Sequence, residues 1–532
     1  MSSLTKIFKS SQNAISTWII AFFVLCLNFA PLIFEFIWGN HDWIPLIANN
    51  KITSGLIEGR FSQYLFLKIL FDGNILPLLN IIFGFLIYSL SITLLATKVF
   101  KFNLKNLSST LIVLSVITLP YIIEILYFQF ICFSLLIWTL IITISVIYAK
   151  KALEEHKTTN TIISCALLLF AIGGYPASIN MYVTTFCLLF IQQKNSTFAE
   201  LKLNIIKFLP FIISIITSLA LLKLSYTYLQ NNNLMLKLYN NNTIKLQEIP
   251  YQIPQTIVTS IMSIIQPQPF FSLILKLITL ITFTFFSIDY ISKTKTYKAK
   301  AIHFLIICAL LICIKFSAFL TKETTESYFA QFDPIGFMVR TDFYSIPTLI
   351  LFALFYLNNK NKYIYKNIAY VISLAFLWIN ITSNYNFCKT SILGFKAENM
   401  LTDRVITRIQ THPNFTTIKP YSLLQIGEYS LRPKYYQPQP LEKYGYYTLK
   451  TPFTRFWIAK EYYNFYTPDT FVANSDNLSI HNIDHNFIDF ITNKITTWPN
   501  KHSIYVSNDH ILVILTEDAK QSFKQQFNRI AR

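Results

Sequence analysis

The stretch FICFSLLIWTLIITISVIYA, residues 130–149, decides the class of this protein. It holds no Asp, Glu, Lys or Arg, and its length matches the roughly 20 apolar residues that a helix needs to cross a bilayer. The whole chain of 532 residues is 53% hydrophobic and only 13% charged, whereas soluble proteins are about 25% charged. This composition excludes an ordinary soluble enzyme and a disordered chain, and it predicts a mainly α, polytopic helical membrane protein.

Similar apolar stretches recur over residues 1–385, which we predict to be the transmembrane domain. With roughly 20 residues per span, they correspond to about eleven transmembrane helices. We place these at residues 17–38, 76–97, 108–126, 130–149, 160–174, 176–192, 204–226, 269–290, 301–320, 343–358 and 367–385.

The loops between the predicted spans alternate in charge. Lysines crowd the short loops, for example around Lys98, Lys150 and Lys298, while the longer loops 39–75 and 227–268 carry few. Cytoplasmic loops of membrane proteins are rich in Lys and Arg. We therefore predict a cytoplasmic N-terminus and, after an odd number of spans, an extracytoplasmic C-terminus. The net charge of +19 then reflects topology and not a nucleic-acid partner.

Residues 386–532 are predicted to form a C-terminal extracytoplasmic α/β domain, since this segment is long enough to fold by itself. Residues 397–412 carry apolar side chains at helical spacing, and residues 503–515 alternate as a β-hairpin does. The aromatic-rich segment 420–466 is either a packed core or a surface on which sugars stack.

Charged side chains inside the spans are expensive and are therefore candidates for function. Lys223, Lys276 and Lys315 lie in the outer halves of three predicted spans. Two interpretations are open. Each lysine snorkels to the interface, or the three together offer positive charge to a phosphate held at the outer leaflet.

The first outer loop contains the candidate general base. It reads NHDWIP over residues 40–45 and EGRF over residues 58–61. Asp42 is expected at the membrane surface beside apolar walls. There a carboxylate can take the proton of a sugar hydroxyl as that hydroxyl attacks an anomeric carbon. The structural alternative for Asp42 is a helix cap or a solvated loop acid.

Several short motifs follow one another in a defined order between residues 17 and 412. They are Asp42 followed by Gly59-Arg60, LPYIIEILYF at 119–128, GYPASIN at 174–180, Arg340 before span ten, and Ala397-Glu398-Asn399 with Asp403-Arg404-Val405. In this order they resemble the bacterial and phage Gtr type II glucosyltransferases, membrane enzymes of O-antigen modification with the GT-C architecture. That family usually has two adjacent acids and then an arginine in the first outer loop. Here His41 replaces the first acid and Pro45 stands where the arginine would be.

The resemblance implies a hexosyltransferase of the bacterial inner membrane that works on the periplasmic face. The donor would be a polyprenyl-phosphate sugar, most simply undecaprenyl-phosphate glucose. The acceptor would be a lipid-linked glycan or growing O-antigen repeat, and the displacement would be a single step with inversion. Asp42 would be the catalytic base, assisted by Glu58 or Glu124.

The other residues implied by the resemblance bind substrate. Arg60, Arg340 and Lys315 would balance the charge of the lipid-phosphate leaving group, and Tyr175 and His41 are assigned to substrate binding. No cofactor and no metal are predicted, since no Asp-x-Asp occurs and the seven cysteines show neither CxxC nor zinc-ligand spacing.

Other functions stay open. A transporter or flippase of lipid-linked sugars is the first alternative, although the internal repeats common in transporters are not visible in this sequence. A GT-C transferase with a different acceptor is the second, and the sequence does not separate it from the proposal above. Several site residues also have a structural alternative: a headgroup anchor for Arg60, an interfacial aromatic for Tyr175, a cap of span ten or an ion pair with Asp342 for Arg340, and an interhelical hydrogen bond for Glu124.

Overall fold

The computed structural model describes most of the helical part of the chain and a smaller C-terminal region. The residues described are 12–35, 59–72, 76–104, 106–126, 132–193, 197–234, 253–254, 256–258, 260–261, 273–292, 296–319, 342–360, 363–417, 421–426, 471–474, 490–507, 510–518, 520–521 and 525. The chain divides into two compact units. Unit 1 comprises Met1–Ile33 and Ile52–Phe387, and unit 2 comprises Phe34–Lys51 and Cys388–Arg532.

Helices dominate the described residues. In chain order they are α1 (Gln12–Asn28), α2 (Ala30–Phe34), α3 (Phe61–Phe71), α4 (Pro77–Leu94), α5 (Leu107–Ile117), α6 (Ile123–Leu126), α7 (Cys132–Glu155), α8 (Thr158–Ile172), α9 (Ile179–Ile191), α10 (Phe198–Lys207), α11 (Leu209–Asn231), α12 (Leu273–Ser292), α13 (Tyr297–Ile314), α14 (Ile346–Asn358) and α15 (Tyr363–Gln410). Short turns of 3-10 helix at Pro120–Ile122, Pro176–Ser178 and Phe316–Phe319 and a π-helical turn at Leu95–Val99 join some of them.

Several of these helices are able to cross a membrane. Five stretches among the described residues are long and apolar enough, namely Leu78–Val99, Cys132–Glu155, Leu209–Asn231, Tyr297–Ile314 and Tyr363–Lys389. The prediction of a mainly helical chain with membrane-crossing helices is confirmed in this form. Further apolar helices, such as α8 and α9, are shorter than a full span.

Some element boundaries differ from the prediction. The region 39–75, predicted as a loop, contains helix α3. This helix has only 11 residues, too few for a full membrane span. The span predicted at 204–226 belongs to two helices, α10 and α11, since Pro210 at the start of α11 begins a new helix. The last predicted span and the helix predicted after it form one continuous helix, α15, of 48 residues.

Hydroxyl groups hold the central helices of unit 1 together. Ser91 of α4 lies 2.8 Å from Thr143 of α7 through their side-chain oxygens. Ser145 of α7 donates to the Ser164 carbonyl of α8 at 2.8 Å, and the Ser164 hydroxyl lies 3.1 Å from the Tyr182 hydroxyl of α9. Small hydroxyl residues let helices approach closely and bond to one another in apolar surroundings. These contacts set the positions of the helices that carry the candidate site.

Unit 2 contains a four-stranded sheet. Its strands are β1 (Tyr421–Ile426), β2 (Phe471–Asn474), β3 (Ile504–Val506) and β4 (His510–Ile514), in the order β2-β1-β4-β3. Strand β1 runs parallel to both β2 and β4. Strands β3 and β4 pair antiparallel, as the alternation over 503–515 predicted.

The C-terminal part of α15 carries a buried apolar face in unit 2. Leu401, Val405 and Ile409 of this face are buried, as their helical spacing predicted. On the exposed side, the Arg408 guanidinium lies over the Trp498 ring at 4.5 Å.

Candidate functional site

A buried junction in unit 1 forms where several helices break. The helix pair α8 and α9 is interrupted at the turn Pro176–Ser178, and α13 is followed by the turn Phe316–Phe319. These two turns pack against each other, and the Ser317 backbone N–H donates to the Asn180 side-chain oxygen at 2.6 Å. Irregular backbone inside an apolar unit is tolerated only where protein or a water-filled cavity satisfies its polar groups. The junction is therefore where unit 1 can accommodate polar chemistry.

A buried ion pair lies at this junction. The Lys315 ammonium, just after α13, is 2.6 Å from an Asp342 carboxylate oxygen, and the two side chains are 3% and 0% exposed. The Asp342 carbonyl accepts the Ser345 backbone N–H at 3.0 Å, at the entrance to α14. The buried Tyr121 hydroxyl also interacts electrostatically with Asp342. Charges out of water persist only when paired, so this pair holds the ends of α13 and α14 in register.

A cation and two aromatic rings stack in unit 1, and one of the rings, Tyr344, is close to Asp342 in the chain. The Arg60 guanidinium is 5.3 Å from the Tyr175 ring centroid, and the Tyr175 and Tyr344 rings are 5.6 Å apart. The Tyr344 hydroxyl donates to the Leu135 carbonyl at 2.8 Å. Tyr344 is two positions after Asp342, and the turns that follow Tyr175 and Lys315 pack against each other. We group these residues under one name, the charged junction: Arg60, Tyr175, Lys315, Asp342 and Tyr344.

Two glycines permit this arrangement. The Ser62 backbone N–H donates to the Gly173 carbonyl at 3.1 Å, which holds the start of α3 against the α8–α9 break. A Cβ on Gly173 would lie 2.2 Å from the Phe61 ring, and a Cβ on Gly174 would lie 2.1 Å from the Trp138 ring. A side chain at either position would therefore force a neighbouring aromatic ring to move, and glycine at 173 lets Phe61, the residue after Arg60, pack against this break.

We expect Gly174→Ala to destabilise unit 1. The added methyl group overlaps the fully buried Trp138 ring, and overpacking of this kind costs about 1–3 kcal/mol. The matched control is Gly84→Ala, whose Cβ meets the movable end of the Leu136 side chain at 2.6 Å. Thermal unfolding of both variants in detergent tests the prediction, and equal melting temperatures would contradict it.

The predicted site residues have different outcomes. Arg60 and Tyr175 lie together, and Tyr175 is buried within unit 1 at 7% exposure. Lys315 does not snorkel, because it is buried and Asp342 holds its ammonium group.

The remaining predicted residues are untested by these contacts. Four of them lie outside the described residues, namely His41, Asp42, Glu58 and Arg340. Glu124 is on α6, immediately after the turn that carries Tyr121, but its side chain is not among those described. Within the described part of the chain, no three His, Cys, Asp or Glu side chains come together as metal ligands do.

Sequence reasoning missed two members of the charged junction, Asp342 and Tyr344. Asp342 entered only as a structural partner for Arg340. The signal that identifies it is the lysine inside the ninth predicted span, because a buried ammonium needs a counter-charge. Asp342 stands immediately before the next predicted span. Three acids between it and Lys315 are closer to Lys315 along the chain, namely Glu323, Glu326 and Asp333. Tyr344 carries no such signal, since aromatic residues are common throughout the chain.

Comparisons with protein-family models, with curated proteins and with solved structures find no match to this chain. The fold and the site define a helical protein with helices long and apolar enough to cross a membrane and with a buried charged junction.

Proposed function

We propose that this protein is a glycosyltransferase of the bacterial inner membrane. It transfers a sugar, by resemblance glucose, from a polyprenyl-phosphate donor to a lipid-linked glycan or O-antigen acceptor on the periplasmic face, in one inverting displacement. The N-terminus is cytoplasmic and the C-terminal α/β unit is periplasmic in this proposal. A transferase of the same architecture with another acceptor is included in it.

The observation that supports this proposal most is the charged junction itself. A helical unit gains nothing in stability from buried charge that a well-packed apolar core would not supply. Buried charge inside a membrane-crossing unit is therefore a functional hypothesis by default. Arg60 is half-buried, and its guanidinium places positive charge against the Tyr175 ring at this junction.

The chemistry follows from the residue types. When the bond between the anomeric carbon and the phosphate oxygen breaks, negative charge grows on the leaving phosphate. Arginine binds phosphate through short, directional charge-assisted hydrogen bonds, and such donors act most strongly in a site that excludes water. We assign Arg60 to this role, with Arg340 as the second candidate, and Asp42 to deprotonation of the acceptor hydroxyl.

A direct assay tests the proposal. The purified full-length protein in nanodiscs receives polyprenyl-phosphate glucose with a radiolabelled sugar and a lipid-linked glycan acceptor. We expect label on the acceptor, release of polyprenyl phosphate and a changed anomeric configuration. Absence of transfer to a panel of lipid-linked glycans would contradict the proposal.

One observation favours the alternative, a flippase of lipid-linked sugars. The interrupted pair α8 and α9 resembles the discontinuous helices that form substrate sites in secondary transporters. Proteoliposomes discriminate between the two functions. A flippase moves the labelled lipid between leaflets without breaking its sugar–phosphate bond, whereas the transferase breaks that bond and needs no leaflet exchange.

We expect Arg60→Gln to weaken donor use strongly. A hydrogen bond to a charged group contributes about 1.5–3 kcal/mol, so kcat/KM for the donor should fall about tenfold to hundredfold. Arg60→Lys should retain part of the activity because it keeps the charge. The matched control is Lys68→Gln on the same helix, since exposed Lys68 lies over the Tyr64 ring at 5.8 Å. Similar losses in the Arg60→Gln and Lys68→Gln variants would contradict a specific phosphate role.

A further inference from the structure

A second lysine near the charged junction is buried without a hydrogen bond. Lys276 lies in the first part of α12 and is 5% exposed. Among the described residues its ammonium nitrogen has no hydrogen-bond partner. Lys223, which lies within another apolar helix, is exposed instead. Lys276 therefore differs from Lys223, whose side chain reaches the surface.

The acid that interacts with Lys276 already has another partner. Asp342 is the acid with which Lys276 interacts electrostatically. Its carboxylate is engaged by Lys315 at 2.6 Å. A buried amino group without a hydrogen bond is costly, and a bound anion would supply the acceptor atoms that Lys276 lacks in the described part of the chain.

We propose that Lys276 is a phosphate-binding residue of the charged junction and that Asp342 positions Lys315 beside it. This inference rests on the proposed function, because it identifies the anion as the phosphate of a polyprenyl-phosphate lipid. Both the phosphodiester of the sugar donor and the phosphate of the released lipid carry negative charge and acceptor oxygens, which a buried lysine binds through charge-assisted hydrogen bonds. Lys276 therefore binds the donor in its ground state, and its loss raises the KM for the donor more than it lowers kcat.

The experiment measures binding and does not depend on turnover. The full-length protein in phosphatidylcholine nanodiscs is titrated with polyprenyl phosphate, with the uncharged polyprenol, with inorganic phosphate and with nanodiscs containing phosphatidylglycerol. Binding is followed by native mass spectrometry and thermal shift. The variants are Lys276→Met, Lys276→Gln and Lys276→Arg, and exposed Lys223→Met is the matched control.

The expected result is binding of polyprenyl phosphate but not of polyprenol. Affinity should fall about tenfold or more in Lys276→Met and Lys276→Gln, as for loss of a hydrogen bond to a charged group, and should persist in Lys276→Arg and Lys223→Met. Lys276→Gln keeps a polar side chain, so it provides the binding measurement if Lys276→Met does not fold. Competition by inorganic phosphate alone would assign the site to free phosphate, and a response to phosphatidylglycerol alone would assign it to bulk lipid. Either result, or unchanged binding in both neutral variants, overturns the proposal.

Failure of this inference is distinguishable from failure of the proposed function. Lys276-dependent binding of polyprenyl phosphate without any sugar transfer would leave the phosphate site standing and remove the transferase. Sugar transfer with an unchanged donor KM in both neutral Lys276 variants would confirm the transferase and remove Lys276 as a phosphate-binding residue.

Discussion

Asp42→Asn is expected to abolish sugar transfer while leaving the folded protein in the membrane. Asparagine keeps the size of the side chain but cannot take a proton from the acceptor hydroxyl. General base catalysis contributes about 10²–10⁴-fold to a rate, so kcat should fall by this factor while the donor KM changes little. Transfer of labelled sugar by purified protein measures the effect.

Two controls make the Asp42 result specific. Asp72→Asn changes an exposed acid that follows α3, and it should transfer sugar at the normal rate. Asp42→Glu keeps a carboxylate and should restore part of the lost activity. Wild-type rates in Asp42→Asn would remove Asp42 as the base. A cytoplasmic position of residue 42 in reporter fusions would remove the periplasmic reaction altogether.

Asp342→Ala is expected to have the largest effect on stability. The substitution leaves the Lys315 ammonium at 3% exposure without its carboxylate, and removal of one partner from a buried ion pair costs about 3–5 kcal/mol. The midpoint of thermal unfolding in detergent should fall accordingly, and the expressed protein should be lost in part to degradation.

The matched control uses an ion pair at the surface. Lys101 and Glu154 are 2.9 Å apart, with side chains 66% and 45% exposed, and exposed pairs contribute about 0–1 kcal/mol. Glu154→Ala should therefore unfold almost as the wild type does. The double variant Asp342→Asn with Lys315→Met removes both charges of the pair, so it should recover part of the stability lost in Asp342→Ala; Lys276, which also interacts with Asp342, still loses its acid. A double variant as unstable as Asp342→Ala would show that the ion pair is not the cause.

The helical class of the protein follows from local composition. Residues 132–155 form one helix whose apolar part, up to Ala149, favours the bilayer interior irrespective of distant residues. The pairing of β3 with β4 is also a local feature, because only three residues separate the two strands in the chain. Element ends were less predictable. The apolar stretch at 108–126 contains Pro120, where the helix gives way to a 3-10 turn after Ile117.

The candidate site was only partly predictable. Arg60 and Tyr175 could be selected because a resemblance singled them out, but nothing near either residue in the chain says that they meet. Lys315 was selected for its charge, and the alternative of snorkelling was reasonable for a lysine near the end of a span. Only its burial against Asp342 decides that it is a paired cation.

The sequence by itself therefore determined that the chain is helical and apolar enough to cross a membrane, since hydropathy is a sum over neighbouring residues. The tertiary structure alone decided that Arg60 lies over Tyr175, that Lys315 pairs with Asp342 and that Lys276 is buried beside them. These contacts join residues far apart in the chain, and they form because helices broken at Pro176 and Phe316 pack their irregular turns together. Charge that is costly in an apolar unit lies here, where opposite charge and polar backbone are both within reach.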